Sequence, residues 1–194
     1  MLTLTKALKF TMLCAMVIGV SACKVVKLDE NNKPIIPMSA AEASKIKNME
    51  PDVIAQKLWP QVTAQYQDAE SIDRLDFSVD TSTFVKVDGT VTDFQPSALG
   101  NKMTVSSGDY VIPLQLGPVV RGNTIRDALD FISFDQFKNQ VQYARLSKEL
   151  SKQALSHIDA PDESWVSSKI DLIAAITLKN GQIVSAVPLK MARR

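Results

Sequence analysis

Three features of this 194-residue sequence predict an α+β fold: a five-stranded antiparallel β-barrel with a helix between its third and fourth strands, preceded by a helical segment. Apolar residues recur at threes and fours as far as Ile72, then alternate from residue 83 onward. Turn residues cut the alternating stretch into three consecutive strands. A long amphipathic run follows, after which Asn180-Gly181 joins two further strand-like runs.

Residues 1–22 precede the fold and are organised as an export signal, with Lys6 and Lys9, an apolar run over 10–20, and small residues leading to Cys23. That 11-residue run is well short of the roughly 20 residues a bilayer-spanning helix needs, so its removal is expected. Val20-Ser21-Ala22-Cys23 resembles the bacterial lipobox, in which a thiol beside small residues takes a diacylglycerol and becomes the new N-terminus. Cys23 is the expected lipidation site. Each buried methylene contributes about 0.8 kcal/mol, and two or three acyl chains make such an attachment stable. Cys14 leaves with the signal, so the processed chain keeps one cysteine and no internal disulfide. Residues 23–38, interrupted by Pro34 and Pro37, read as a lipidated tether of up to roughly 50 Å at about 3.3 Å per residue.

A single domain is expected over 39–194, helical over 39–76 and a barrel over 83–191. Ser39-Ala40-Ala41-Glu42 has capping-box spacing and predicts a helix to about Asn48. Pro51 suits the first turn of the next helix, where Val53, Ile54, Leu58, Val62, Tyr66, Ala69 and Ile72 share one face to about Arg74. Pro60 should bend or restart it, and Trp59 beside that break reads as a packing anchor.

The first strand is expected over 83–94, with Gly89 as a candidate bulge. Leu99-Gly100-Asn101 turns the chain into a short strand around Met103 and Val105, and Ser107-Gly108-Asp109 turns it again into a third over 110–116. Pro113 in that third strand argues for an edge or a bulge. Gly117-Pro118 ends it.

Thr124-Ile125-Arg126-Asp127 has capping-box spacing for a short helix through Leu129, and Ser133-Phe134-Asp135-Gln136 has it again. From Ser133 the sequence predicts a helix to about Ser156, with Ile132 and Phe137 as a staple across its start. One stripe, Phe134, Phe137, Val141 and Ala144, is placed to cover a sheet. A second, Tyr143, Leu146, Leu150 and Ala154, needs the earlier helices as its cover. A strand over 166–178, the Asn180-Gly181 turn and a return over 183–191 complete the chain, leaving Arg193 and Arg194 as a solvated end. Three strands, a helix and a hairpin is the element order of the OB-fold.

Composition narrows the function classes. The formal net charge is +1, and about −1 once Lys6 and Lys9 are removed, so the chain lacks the basic footprint of a nucleic-acid binder. His157 is the only histidine, which rules out histidine metal clusters, and no cofactor or metal is expected. Asp127, Asp130 and Asp135 lie close enough in sequence to supply a carboxylate pair. Carboxylates at helix N-termini are expected for stability alone, so an enzyme is not the leading reading. Arg121 and Arg126, on the connection between barrel and helix, offer forked donors for a carboxylate, phosphate or sugar hydroxyl, against an internal pair with Asp127 or Asp130. Asn139 and Gln140, in mid-helix, complete the candidate ligand or partner contacts, but a structural role in satisfying backbone groups of the barrel rim is the first reading and ligand contact the second.

The runs CKVVKLDENNKPIIP at 23–37 and LQLGPVVRGNTIRDALDFISFDQFKNQVQYARLSKEL at 114–150 resemble the DUF2291 family of predicted periplasmic lipoproteins. The resemblance implies an OB-like fold and, for many members, genes beside those of sugar ABC transporters. It implies no catalytic residues. The expected function is therefore a lipid-anchored, non-enzymatic accessory or binding protein on the periplasmic side of a membrane, associated with a sugar ABC import system through a permease or solute-binding protein. Direct binding of a saccharide or small molecule on the barrel face is the alternative, with Trp165, Tyr110 and the two arginines as first contacts. A hydrolase using the aspartates is the third reading.

Overall fold

The computed structural model describes residues 40–194. The export signal, Cys23, the tether and the Ser39 cap lie outside the described residues. Two short helices lead in, α1 (Ala40–Lys47) and α2 (Pro51–Gln67). Six strands follow: β1 (Glu70–Ser71), β2 (Thr81–Gln95), β3 (Lys102–Ser107), β4 (Tyr110–Gln115), β5 (Lys169–Lys179) and β6 (Gln182–Arg193). Between β4 and β5 stand α3 (Thr124–Asp127) and α4 (Gln140–Leu155).

Strands β2, β3, β4, β6 and β5 close into a five-stranded barrel, as the element order predicts. The long β2 is shared: residues 81–90 pair antiparallel with β5, and 90–95 pair with β3. At the crossing, a Cβ on Gly89 would meet Val105 Cγ1 at 2.6 Å and Ser106 O at 2.9 Å. Gly89 therefore serves close approach of two strands, and the register shift lies between Val91 and Asp93 instead. The seam between β4 and β6 is parallel and rests on one bridge, Leu114 to Ala186. Pro113 sits in β4 beside that sparse seam, where a missing donor costs least. The Asn180-Gly181 turn has both residues at positive φ, 50° and 74°, as a two-residue hairpin turn requires.

The barrel interior holds Val85, Val87, Val105, Ile112, Leu114, Leu172, Ile176 and their neighbours. A second core lies outside the barrel wall, where Phe84, Ala175, Val187 and Leu189 meet Ile125, Leu129, Leu146, Leu150 and the buried face of α2. Each fully buried leucine or isoleucine contributes about 1.5–3 kcal/mol, so α2 and α4 are held by packing on the wall and on each other. Trp59 is the expected packing anchor, stacked on His157 at 5.6 Å between ring centroids.

Several expectations are corrected. The second helix stops at Gln67, and Pro60 lies on its exposed face without restarting it. Glu70 and Ser71 instead pair with Val85 and Lys86, and the single turn Ile72–Arg74 turns Ile72 into the barrel interior. Asn123, not Thr124, precedes α3, because the Thr124 hydroxyl is buried against Ser185 at 2.8 Å and Thr177 at 3.1 Å. The Ser133 capping box forms, with Gln136 Oε1 accepting from Ser133 N at 3.0 Å, but it closes only the turn Phe134–Gln136. Phe137 is extended there, and α4 begins three residues later. With the start displaced, Val141 and Ala144 face solvent and the second stripe, Leu146, Leu150 and Ala154, is the buried one. The fourth barrel strand begins at Lys169 instead of 166, because the turn Glu163–Trp165 and Ser167 at φ 70° precede it. Arg194 is not a free end: it pairs with Asp171 and, at 2.8 Å, with Asp88, and its hydrogen bonds hold the Asp171 carboxyl below the usual carboxylate range.

Candidate functional site

The residues singled out in the sequence separate into a structural cluster and an open surface. Arg126 belongs to the first. Its guanidinium is nearly buried, donates to Asp127 Oδ1 from Nε at 2.8 Å and Nη2 at 2.6 Å, and lies 3.9 Å from the centre of the Tyr143 ring. Tyr143 in turn packs on Phe134 and Phe137. Burial pushes the Tyr143 hydroxyl up from the ordinary tyrosine value, the nearby Arg126 charge opposes that, and Asp127 adds to it. The expected Arg–Asp pair is thus Arg126 with Asp127, and it fixes the barrel-to-helix connection. The three aspartates do not gather: Asp127 is engaged by Arg126, Asp135 accepts from the Ser133 hydroxyl, and Asp130 is exposed.

Asn139 and Gln140 were expected in mid-helix. Asn139 is instead the N-cap of α4, its Oδ1 accepting from Gln142 N at 2.9 Å, and Gln140 is the exposed first helical residue. Sequence reasoning passed over Gln142, which does more. Its Oε1 accepts from Lys138 N at 2.7 Å, while its Nε2 donates to Met49 O at 2.8 Å and Ile46 O at 3.3 Å, tying the end of α1 to the start of α4. The Asn139-x-x-Gln142 spacing, the same as Ser133-x-x-Gln136, was the available signal.

Arg121 stands apart from this cluster. Its backbone is clamped by Gln115, which accepts from Arg121 N at 2.9 Å and donates to Arg121 O at 3.1 Å. Gln115 also donates to Ser185 Oγ at 2.9 Å, which opens a chain of hydroxyls through Thr124 and Thr177 to Ser82. The clamp presents the Arg121 side chain to a groove of about 540 Å³ lined by Leu99, Asn101, Lys102, Val119, Val184 and Ser185 among others. Across the 116–122 loop lies a second groove of about 540 Å³, between that loop and Lys148, Ser151, Lys152 and Leu155 of α4.

A third cleft, of about 630 Å³, opens at the hairpin end of the β4–β6 seam. Phe77 and Tyr110 stack there at 4.8 Å and 10°, beside Asp109, Val111, Gln182 and Ile183. An aromatic face with a carboxylate and an amide at its edge can take a sugar ring or an apolar peptide side chain. Trp165 packs on the barrel core and lines none of these three openings. Among the described residues there is no group of histidine, cysteine and carboxylate side chains that could hold a metal ion, and no helix is long and apolar enough to cross a membrane.

The family model for DUF2291, predicted periplasmic lipoprotein, matches residues 73–192, which takes in all of the barrel strands but the last residue of β6 and every candidate contact from Arg121 to Gln140. The chain belongs to this family. As a DUF2291 lipoprotein it is an exported, membrane-anchored protein of the periplasmic side. No curated protein matches the chain. The crystal structure of an OB-fold protein from Thermotoga maritima is similar to it, with a TM-score of 0.53 over 76% of this chain and 100% of the other at 16% identity. At that identity the likeness shows the fold alone, and it agrees with the closed barrel found here.

Proposed function

We propose that this lipoprotein, acylated at Cys23, is a non-enzymatic binding protein that serves a sugar ABC import system by docking its permease or solute-binding protein. The observation that carries the reading is the cleft at the hairpin end of the β4–β6 seam. Val111 is 60% exposed at its edge, and Phe77, Tyr110 and Ile183 offer further apolar surface, which suits a protein segment of modest size. A lipid anchor raises the local concentration of such a domain near its membrane partners without any reactive centre. The sugar connection comes from the family resemblance. Detergent co-purification from native membranes should recover an importer component with the wild type and lose it with Val111→Glu, a change on an exposed side chain. Absence of any importer component from the wild-type sample would end this reading.

The Phe77–Tyr110 stack favours a second reading, direct binding of a saccharide in the same cleft, with Asp109 and Gln182 as hydrogen-bonding partners for ring hydroxyls. A thermal-shift panel of mono- and disaccharides separates the two. A shift abolished by Tyr110→Ala supports the saccharide, and a flat panel removes it.

A further inference from the structure

The 116–122 loop and the exposed side of α4 carry a feature that the hairpin cleft does not explain. Val119 lies on the ridge between the two grooves and lines both of them. It is 53% exposed, and Leu99, which lines one of these grooves with it, is 64% exposed. Around these two apolar tips stand four cations, Lys102 and Arg121 in one groove and Lys148 and Lys152 in the other. No acidic residue lines either groove. The charge is local, because residues 40–194 contain 17 Lys and Arg against 19 Asp and Glu. Among the described residues Lys102, Arg121 and Lys148 have no ionic partner, and Lys152 only reaches Glu149 at 3.8 Å. A net-acidic domain has therefore gathered uncompensated cations around protruding apolar side chains.

We propose that this face docks on an anionic phospholipid leaflet, with Leu99 and Val119 entering the interface and the four cations meeting headgroup phosphates. Charge complementarity and shape both select this occupant. Basic residues close to an anionic leaflet are each attracted to it, and apolar tips amid basic residues are the composition of an interfacial contact. A lipoprotein is permanently close to such a leaflet, so even weak attraction is enough to orient it. The chain between the expected attachment at Cys23 and the start of α1 reaches up to about 50 Å, against a radius of gyration of about 15 Å for a domain of this size. Every face is within reach of the bilayer, and surface chemistry decides which one lies down. This inference rests on the lipoprotein family and not on the importer reading.

The test uses the processed, acylated chain carrying Val119→Cys, labelled at that thiol with a polarity-sensitive fluorophore and reconstituted into vesicles. In phosphatidylglycerol-containing vesicles the emission should shift to the blue, the shift should disappear at high salt, and it should be absent in neutral phosphatidylcholine. Lys148→Glu with Lys152→Glu, both on the solvent side of α4, should abolish it while leaving the melting temperature in place. Identical spectra in both vesicle types would overturn the proposal. So would a blue shift that survives the charge reversal, or one that appears only when a permease or solute-binding protein is added back.

Discussion

The guanidinium of Arg126 is held between the ring of Tyr143, 3.9 Å below it, and the carboxylate of Asp127, 2.6 Å from Nη2. The contact joins α3 to α4 across 17 residues of chain, and both partners lie within the family match. A planar guanidinium can stack and donate sideways at once, whereas an ammonium must choose. Arg126→Lys should therefore destabilise the fold by about 1–2 kcal/mol, most of it lost again when Tyr143→Leu removes the ring. A double-mutant cycle in urea checks this, and a coupling near zero would reduce the stack to mere proximity.

The same ring gives a pH prediction. Burial raises the Tyr143 pKa above the unfolded value, so the folded state keeps the hydroxyl protonated where the unfolded chain has begun to lose it. The resulting stabilisation is fully present below the unfolded pKa of about 10 and is lost as pH rises through the higher folded value. Stability should fall more steeply above pH ~10 in the wild type than in Tyr143→Phe, which has no proton to lose. Equal slopes in chemical denaturation from pH 9 upward would count against it.

The barrel was legible because its signals are local. Alternation in β2 and the Asn180-Gly181 turn follow from a few adjacent residues, and the Arg126–Asp127 pair is between neighbours in the chain. What escaped the sequence depends on distant partners. Ile72 falls in phase with α2 yet turns into the barrel, because residues 70–71 find a pairing site on β2 that no nearby residue announces. Two tandem capping signals, at Ser133 and Asn139, compete to start one helix, and the sequence does not say which will close a single turn. Arg121 was singled out for its chemistry, but its groove is made by residues from Ser97 to Ser185 and has no sequence pattern of its own.

The start of α4 tests that competition directly. Asn139→Ala removes the acceptor for Gln142 N and should cost about 1 kcal/mol, while Gln140→Ala, at an exposed position, should be close to neutral. Gln142→Ala should act at a distance. By leaving the Met49 carbonyl without the Gln142 donor, while the Ile46 carbonyl keeps Met49 N at 3.0 Å, it should cost about 1–3 kcal/mol and release α1 from α4. Hydrogen exchange over residues 44–49 checks this, since protection should drop there before it drops in the barrel.

Gly100 and Gly117 make the sharpest steric prediction, because two chain segments cross at these residues with no room for a side chain on one of them. A Cβ on Gly117 would stand 1.8 Å from Gly100 Cα and 2.8 Å from its carbonyl carbon. Those atoms are backbone, pinned by Gly100 N bonding Ser97 O at 3.1 Å and by Leu116 N bonding Asn101 O at 2.8 Å. The clash cannot be relieved by a rotamer, so Gly117→Ala must part the two loops, at a cost of about 1–3 kcal/mol or more. Gly108 is the control. It has φ +55° and open space around its Cβ position, so Gly108→Ala should pay only for backbone strain, and Gly108→Asn less still, since asparagine tolerates that conformation. Gly117→Asn gains no such relief, because its obstacle is steric. Thermal melts of the four variants decide the matter: a Gly117→Asn melting temperature close to that of Gly108→Asn would mean that the crossing is looser than these distances require.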